Sequence, residues 1–216
     1  MRILCLFALT AALALAPAAE ASTAEQIVSS IDERYQGVTA IQARFTQTIN
    51  SPAYGENVQT GALQLKRPQK ARWEFMEPTK SAMITNGQTM WIYTPEANQV
   101  IVTEDLTSSG GGSGLMVLLT DLSRIEEFFT VEAVAGGESE HALKLTPKEE
   151  SLRTQLQDLQ LVLDEGYVIK RVSFADSFGQ TTTLEFSEVA LNPTLTDEQF
   201  DFTPPEGTTI INSGGL

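Results

Sequence analysis

Gly61-Ala62-Leu63-Gln64-Leu65-Lys66-Arg67-Pro68, with Ala71-Arg72-Trp73-Glu74-Phe75 close behind, is the stretch whose reading decides the fold. Apolar and polar residues alternate with a period of two. The alternation puts Leu63, Leu65 and Arg67 on one face of a strand, and Ala71, Trp73 and Phe75 on one face of the next. Pro68 separates them. Arg67 then has two readings: the strand ends and its side chain turns to solvent, as charged side chains usually do, or it shares an enclosed space with its apolar neighbours. Spacing alone leaves both open.

The same period extends in both directions. Alternating segments are predicted at Ala40 to Asn50, Gln59 to Lys66, Ala71 to Phe75, Ala82 to Thr85, Gln88 to Tyr93 and Gln99 to Thr103. They form an antiparallel meander, with a two-residue hairpin turn at Asn86-Gly87 and another turn marked by Pro95 and Asn98. Further strands are predicted at Phe128 to Val134, Ala142 to Thr146, Leu156 to Leu163, Val168 to Phe174 and Thr182 to Val189. Gly136-Gly137, Glu165-Gly166 and Ser177 to Gly179 supply the turns.

Two segments break this rhythm. Ile27, Val28, Ile31 and Tyr35 recur at helical spacing behind a Ser22 or Thr23 cap, and Gly37 ends the helix. In mid-chain a Ser/Gly tract from Thr107 to Gly114 leads into Leu115, Met116, Val117, Leu118 and Leu119, a flexible loop followed by a short apolar helix. Many short strands with two helices predict a mainly β (α+β) fold: an unclosed, curved antiparallel half-barrel with helices on its concave side. A two-sheet sandwich would leave the central apolar helix without a place.

Arg2 precedes an apolar run from Ile3 to Ala16 that is too short to span a bilayer, and Ala19-Glu20-Ala21 follows Pro17. Residues 1–21 are therefore expected to be a secretory signal peptide, leaving 22–216 as one domain exported in soluble form. The single cysteine, Cys5, lies inside that signal, so the mature chain is expected to lack disulfides and a lipid-anchoring cysteine. Losing Arg2 and Glu20 removes one charge of each sign and leaves the net charge at −14. Asp and Glu outweigh Lys and Arg along most of the chain, which argues against a nucleic-acid partner and fits a self-repelling, monomeric protein.

Enzyme chemistry finds little support. His141 is the only histidine, and neither H-E-x-x-H nor G-x-S-x-G occurs. Ser113, within Gly-Gly-Ser-Gly, is followed by Leu115 and reads as a loop serine. Gly110, Gly111, Gly112 and Gly114 read as a hinge, because no Lys-Ser or Lys-Thr follows to hold a phosphate. Glu126-Glu127 and Glu149-Glu150 read as solvated carboxylates, and Asp164-Glu165-Gly166 as a turn without a calcium-ligand pattern. No metal site and no cofactor are predicted. A secreted hydrolase using His141 in an irregular triad is the enzyme alternative.

Taken together, Gly61 to Pro68, Arg72-Trp73-Glu74-Phe75 with Pro78, and Asn86-Gly87-Gln88-Thr89-Met90-Trp91-Ile92-Tyr93 resemble the signature of the LolA family of lipoprotein carriers. Phe45-Thr46-Gln47 after a helix, and the closing Phe200-Asp201-Phe202-Thr203-Pro204-Pro205-Glu206-Gly207, are similar to the family's pattern as well. The resemblance covers essentially the whole mature chain. It implies a strongly curved, unclosed β-barrel covered by helices, with an apolar space that holds the acyl chains of lipoproteins in the periplasm. It further implies a LolCDE-like inner-membrane ABC transporter as donor and a LolB-like outer-membrane receptor as acceptor.

By the same resemblance Arg67 matches an arginine that latches the helical lid, here Leu115, Met116, Leu118 and Leu119, over a cavity lined by Leu63, Leu65, Trp73 and Phe75. The chain departs from the pattern at the lid, where the approach is Gly-rich and Leu115-Met116 replaces an aromatic residue. Trp91, Met83, Ile84, Met90 and Ile92 stay unassigned between the cavity and the opposite face. A LolB-type receptor would carry a lipidated N-terminal cysteine. An RseB-like periplasmic sensor on a related half-barrel, the main alternative, would carry a second domain.

Overall fold

The computed structural model describes residues 22–104, 118–119, 122–153 and 155–213. Helix α1, Ala24–Tyr35, opens with a capping box in which the Thr23 hydroxyl accepts from the Gln26 backbone N–H while the Gln26 carboxamide oxygen accepts from the Thr23 N–H. Strands β1 (Ala40–Ser51), β2 (Gly55–Lys66), β3 (Lys70–Glu77), β4 (Ser81–Thr85), β5 (Met90–Thr94) and β6 (Gln99–Thr103) follow as the predicted meander. Strands β7 (Phe129–Val134), β8 (Glu140–Pro147), β9 (Gln157–Asp164), β10 (Ile169–Ala175) and β11 (Thr181–Leu191) form a second one.

Antiparallel pairing of β1 with β11 joins the two halves, and β12, Thr209–Asn212, extends the far edge by pairing parallel to β6. The result is one sheet of order β12-β6-β5-β4-β3-β2-β1-β11-β10-β9-β8-β7. Its edges, β7 and β12, do not meet. This is the unclosed half-barrel read from the sequence, with helices over the concave face.

That face is buried beneath α1. Ile27, Val28, Ile31 and Tyr35 on the helix join Leu63, Leu65, Trp73, Leu143, Leu145, Leu159, Leu161 and Leu184 from the strands in one apolar cluster. Tyr35 ends the helix fully buried, its hydroxyl oxygen accepting the Ile169 backbone N–H at 3.1 Å, and burial raises its pKa above the ordinary phenol value.

The cover of the opposite, convex face is not anticipated by the sequence reading. After β11 the chain crosses β1 to β5 on that side through a 3-10 turn, Asp197–Phe200, with a second capping box at Thr196. Phe200 is fully buried against Ala40 and Leu195. Asp197 receives Lys66 and Lys70, each at 2.7 Å, Arg72 donates to the Gln199 carbonyl at 3.0 Å, and the Phe202 ring meets Tyr93 at 5.1 Å. This strap delivers β12 to the edge.

Two further corrections concern local structure. Asn86-Gly87 opens a longer loop than the predicted two-residue turn, because Thr85 pairs directly with Met90. The Asn86 carboxamide oxygen accepts from the Gln88 and Thr89 N–H groups, which closes the loop from its own side chain. Short helices at Ile125–Phe128 and Glu150–Arg153 occur where the sequence predicts loops or strand ends.

Hydrogen bonds from Lys66 and then Lys70 hold the Asp197 carboxyl at about 2, below its ordinary 3.8. A depressed folded-state value means that the strap contact contributes fully above about pH 4 and is lost as the pH falls through 2. Asp197→Asn should therefore lower the melting temperature slightly at neutral pH, as suits an exposed pair, with the difference vanishing in acid; melting curves across that range check it. Tyr35→Phe should cost about 1–2 kcal/mol in denaturant unfolding, because the Ile169 N–H loses its acceptor within the core.

Candidate functional site: the concave face

Strand register assembles the predicted lining in rows. Leu63 faces Trp73 across β2 and β3, Trp73 faces Met83, and Met83 faces Ile92, so these residues share the concave side. Phe45, Gly61 and Phe75 form the next row, and Ile41, Leu65 and Ala71 the row on the other side. Leu63, Leu65 and Trp73 are buried, while Phe75 is half-buried and packs on the cluster. The predicted cavity residues are thus brought together on one face. Ile84 pairs with Arg72 and Trp91, which places Ile84 and Trp91 on the convex side. The two tryptophans lie on opposite faces of the sheet.

The two halves of the concave face differ in chemistry. Toward β3 it is aromatic: Phe45 meets Trp73 and Phe75 edge-on, both with centroids 5.2 Å apart, and the Trp73 and Phe75 rings lie nearly parallel at 6.4 Å. Toward β8 and β9 it is aliphatic, made by Leu143, Leu145, Leu159, Leu161 and Leu163. Among the described residues the buried polar side chains are Thr85 and Thr182, with no buried charge. Such a surface can sequester hydrocarbon.

Gly61 makes the aromatic half possible, a role the sequence reading does not assign to it. A Cβ there would lie 2.0 Å from the Glu74 carbonyl oxygen and 2.5 Å from Phe45 Cζ, so Phe45 crosses β2 only because position 61 has no side chain. A glycine inside a strand signals such a close approach.

Leu118 and Leu119 are helical and buried on the same cluster, at 1% and 3% exposure, while Leu115 and Met116 lie outside the described residues. The cover continues through Leu122 and Ile125, both buried, which the sequence reading leaves out although their spacing from Leu118 continues the helical stripe. The 3-10 turn at Leu122–Arg124 touches α1, so the two covers support each other.

Arg67 sits just past the end of β2, half-buried, where its backbone N–H donates to the Thr39 carbonyl at 2.8 Å. It borders a shallow depression with Val38 and Leu65. An open cleft of about 310 Å³ lies on the convex side, between Arg72, Glu74, Tyr93 and Phe202.

The family model described as "Outer membrane lipoprotein carrier protein LolA" matches residues 36–203. The chain belongs to the LolA family. An outer-membrane lipoprotein carrier protein of Azotobacter vinelandii is 34% identical over 203 residues, covering 93% of each chain. Its counterpart from Nitrosomonas europaea is 31% identical, covering 95% of this chain and 97% of the relative. An uncharacterized conserved protein of Thermus thermophilus shares the fold, with a TM-score of 0.54 at 15% identity over 88% of this chain and 98% of that one.

The LolA match spans the concave rows, Leu118 and Leu119, and most of the strap, while α1 and β12 lie outside it. His141 lies in the row of Leu163 and Ile169 and stacks on the Tyr167 ring at 4.3 Å and 8°. Ser113 lies outside the described residues.

Gly61→Ala should lower stability by about 2–3 kcal/mol through overpacking against Phe45 and the Glu74 carbonyl. Urea unfolding measures this, and a loss below about half a kcal/mol would mean that the neighbouring strand yields freely.

Proposed function

We propose that this protein is a periplasmic lipoprotein carrier: exported by a signal peptide over residues 1–21 and functioning as the single domain 22–216, it shields the acyl chains of lipoproteins on the concave face. A LolCDE-like ABC transporter would load it, and a LolB-like receptor at the outer membrane would unload it. The observation that carries this reading is the concave face of a LolA-family chain: a continuous apolar surface without buried charge among the described residues, covered by α1 and by Leu118, Leu119, Leu122 and Ile125.

The physics follows from that surface. Each acyl methylene withdrawn from water contributes about 0.8 kcal/mol, so burial alone drives binding and no cofactor is needed. Leu118 and Leu119, with Leu115 and Met116, would form the lid, and Leu118 and Leu119 now occupy the face that acyl chains would cover. Lid and cargo therefore compete for Leu63, Leu65, Trp73 and Phe75. That competition keeps net affinity modest and lets a receptor with a more favourable cavity take the cargo. Arg67, at the rim of the same face, is the proposed latch that favours closure.

Arg67→Leu should then retain cargo more strongly and pass less of it to the acceptor. The test is to purify wild-type and variant protein from periplasm and identify bound acylated peptides by mass spectrometry. Triacylated lipoprotein on the wild type, enriched on the variant, is the expected result. Equal loading and transfer would remove Arg67 from the mechanism, and protein free of lipoprotein in both preparations would overturn the carrier reading.

A further inference from the structure

Trp73 presents an unsatisfied polar group in an otherwise apolar surface. The residue is 4% exposed, yet its indole Nε1–H finds no acceptor among the described residues. An indole nitrogen is a donor only, and a buried donor without an acceptor is unfavourable where a phenylalanine would carry no such donor. The ring cannot easily turn the group to solvent, because Phe45 packs against it edge-on and Phe75 lies parallel to it. Trp91, on the convex side, is only half-buried and has no such conflict.

We propose that the Trp73 indole N–H is the hydrogen-bond donor for the carbonyl at the root of a bound acyl chain, so that this face selects acylated ligands over plain hydrocarbon. The inference rests on the acyl-binding reading of the same face. The order of residues along the strands fits it. The Gln47 and Gln59 amides, joined at 3.3 Å, lie where the face becomes polar; half-buried Phe75 comes next, then buried Trp73, then Leu65 and Ile41 beneath α1. Successive rows are about 7 Å apart. An acylated group has the same sequence of parts: a polar head, a carbonyl, then methylenes. Hydrocarbon offers the indole nothing, whereas an ester or amide carbonyl satisfies it.

Two synthetic lipopeptides decide the matter, one with ester-linked acyl chains on a glyceryl-cysteine peptide and one with ether-linked alkyl chains of equal length. Binding to the mature protein is followed by calorimetry and by Trp73 fluorescence in a Trp91→Phe background. Wild-type protein should prefer the ester by about three- to tenfold, the range of one buried hydrogen bond. Trp73→Phe should reduce that preference to about one, whatever its affinity for the ether. Equal affinity of wild-type protein for the two probes overturns the inference while leaving the carrier reading intact, and it does so even if Trp73→Phe fails to fold. A preference that survives Trp73→Phe assigns the carbonyl to another donor and overturns it too. Failure of wild-type protein to bind either probe overturns the carrier reading itself.

Discussion

An apolar surface on the inner side of a curved, unclosed sheet must be covered, and that requirement organises the rest of the molecule. Leu143, Leu145, Leu159, Leu161 and Leu163 on one half, with Phe45, Leu63, Leu65 and Trp73 on the other, present far more hydrocarbon than the sheet can hide by itself. In a closed barrel these side chains would cover one another. Here β7 and β12 never pair, so α1 together with Leu118, Leu119, Leu122, Ile125 and Phe128 takes up the task.

The two covers differ in how they are held. α1 is anchored at its end by Tyr35, whose hydroxyl oxygen accepts the Ile169 N–H within the core. Leu118 and Leu119 are held by apolar contact on the same cluster. Apolar contact is non-directional, so acyl chains can replace it methylene for methylene, whereas a buried hydrogen bond has no such substitute in hydrocarbon. The proposed division between a fixed helix and an exchangeable lid rests on this difference. The convex side is closed otherwise, by ion pairs of Lys66 and Lys70 with Asp197 and by buried Phe200, so changes in the concave cover leave the strap in place.

Much of this architecture is legible in the sequence because a strand announces its faces. Alternation alone places Leu63, Leu65, Trp73 and Phe75 together, and the spacing of Ile27, Val28, Ile31 and Tyr35 marks α1. The strap and β12 are not legible. Thr209–Asn212 is short and exposed throughout, and its parallel pairing with β6 depends on a crossover whose course is fixed by contacts far away in sequence. The loop after Thr85 departs from expectation for a different reason: Asn-Gly permits a tight turn, but the Asn86 side chain stabilises a wider one.

By itself the sequence determined the period of each segment, and with it the half-barrel class, the apolar rows and the resemblance that marks the chain as a LolA-family member. Only the tertiary structure decided which side of the sheet each row covers. It placed Ile84 and Trp91 on the convex side, made Gly61 the gap that admits Phe45, and left the Trp73 N–H without an acceptor among the described residues of the apolar face. Alternation is a local consequence of backbone geometry, which residue order reveals. Burial, close approach and hydrogen-bond satisfaction are relations between distant strands, and they exist only once register and curvature are set.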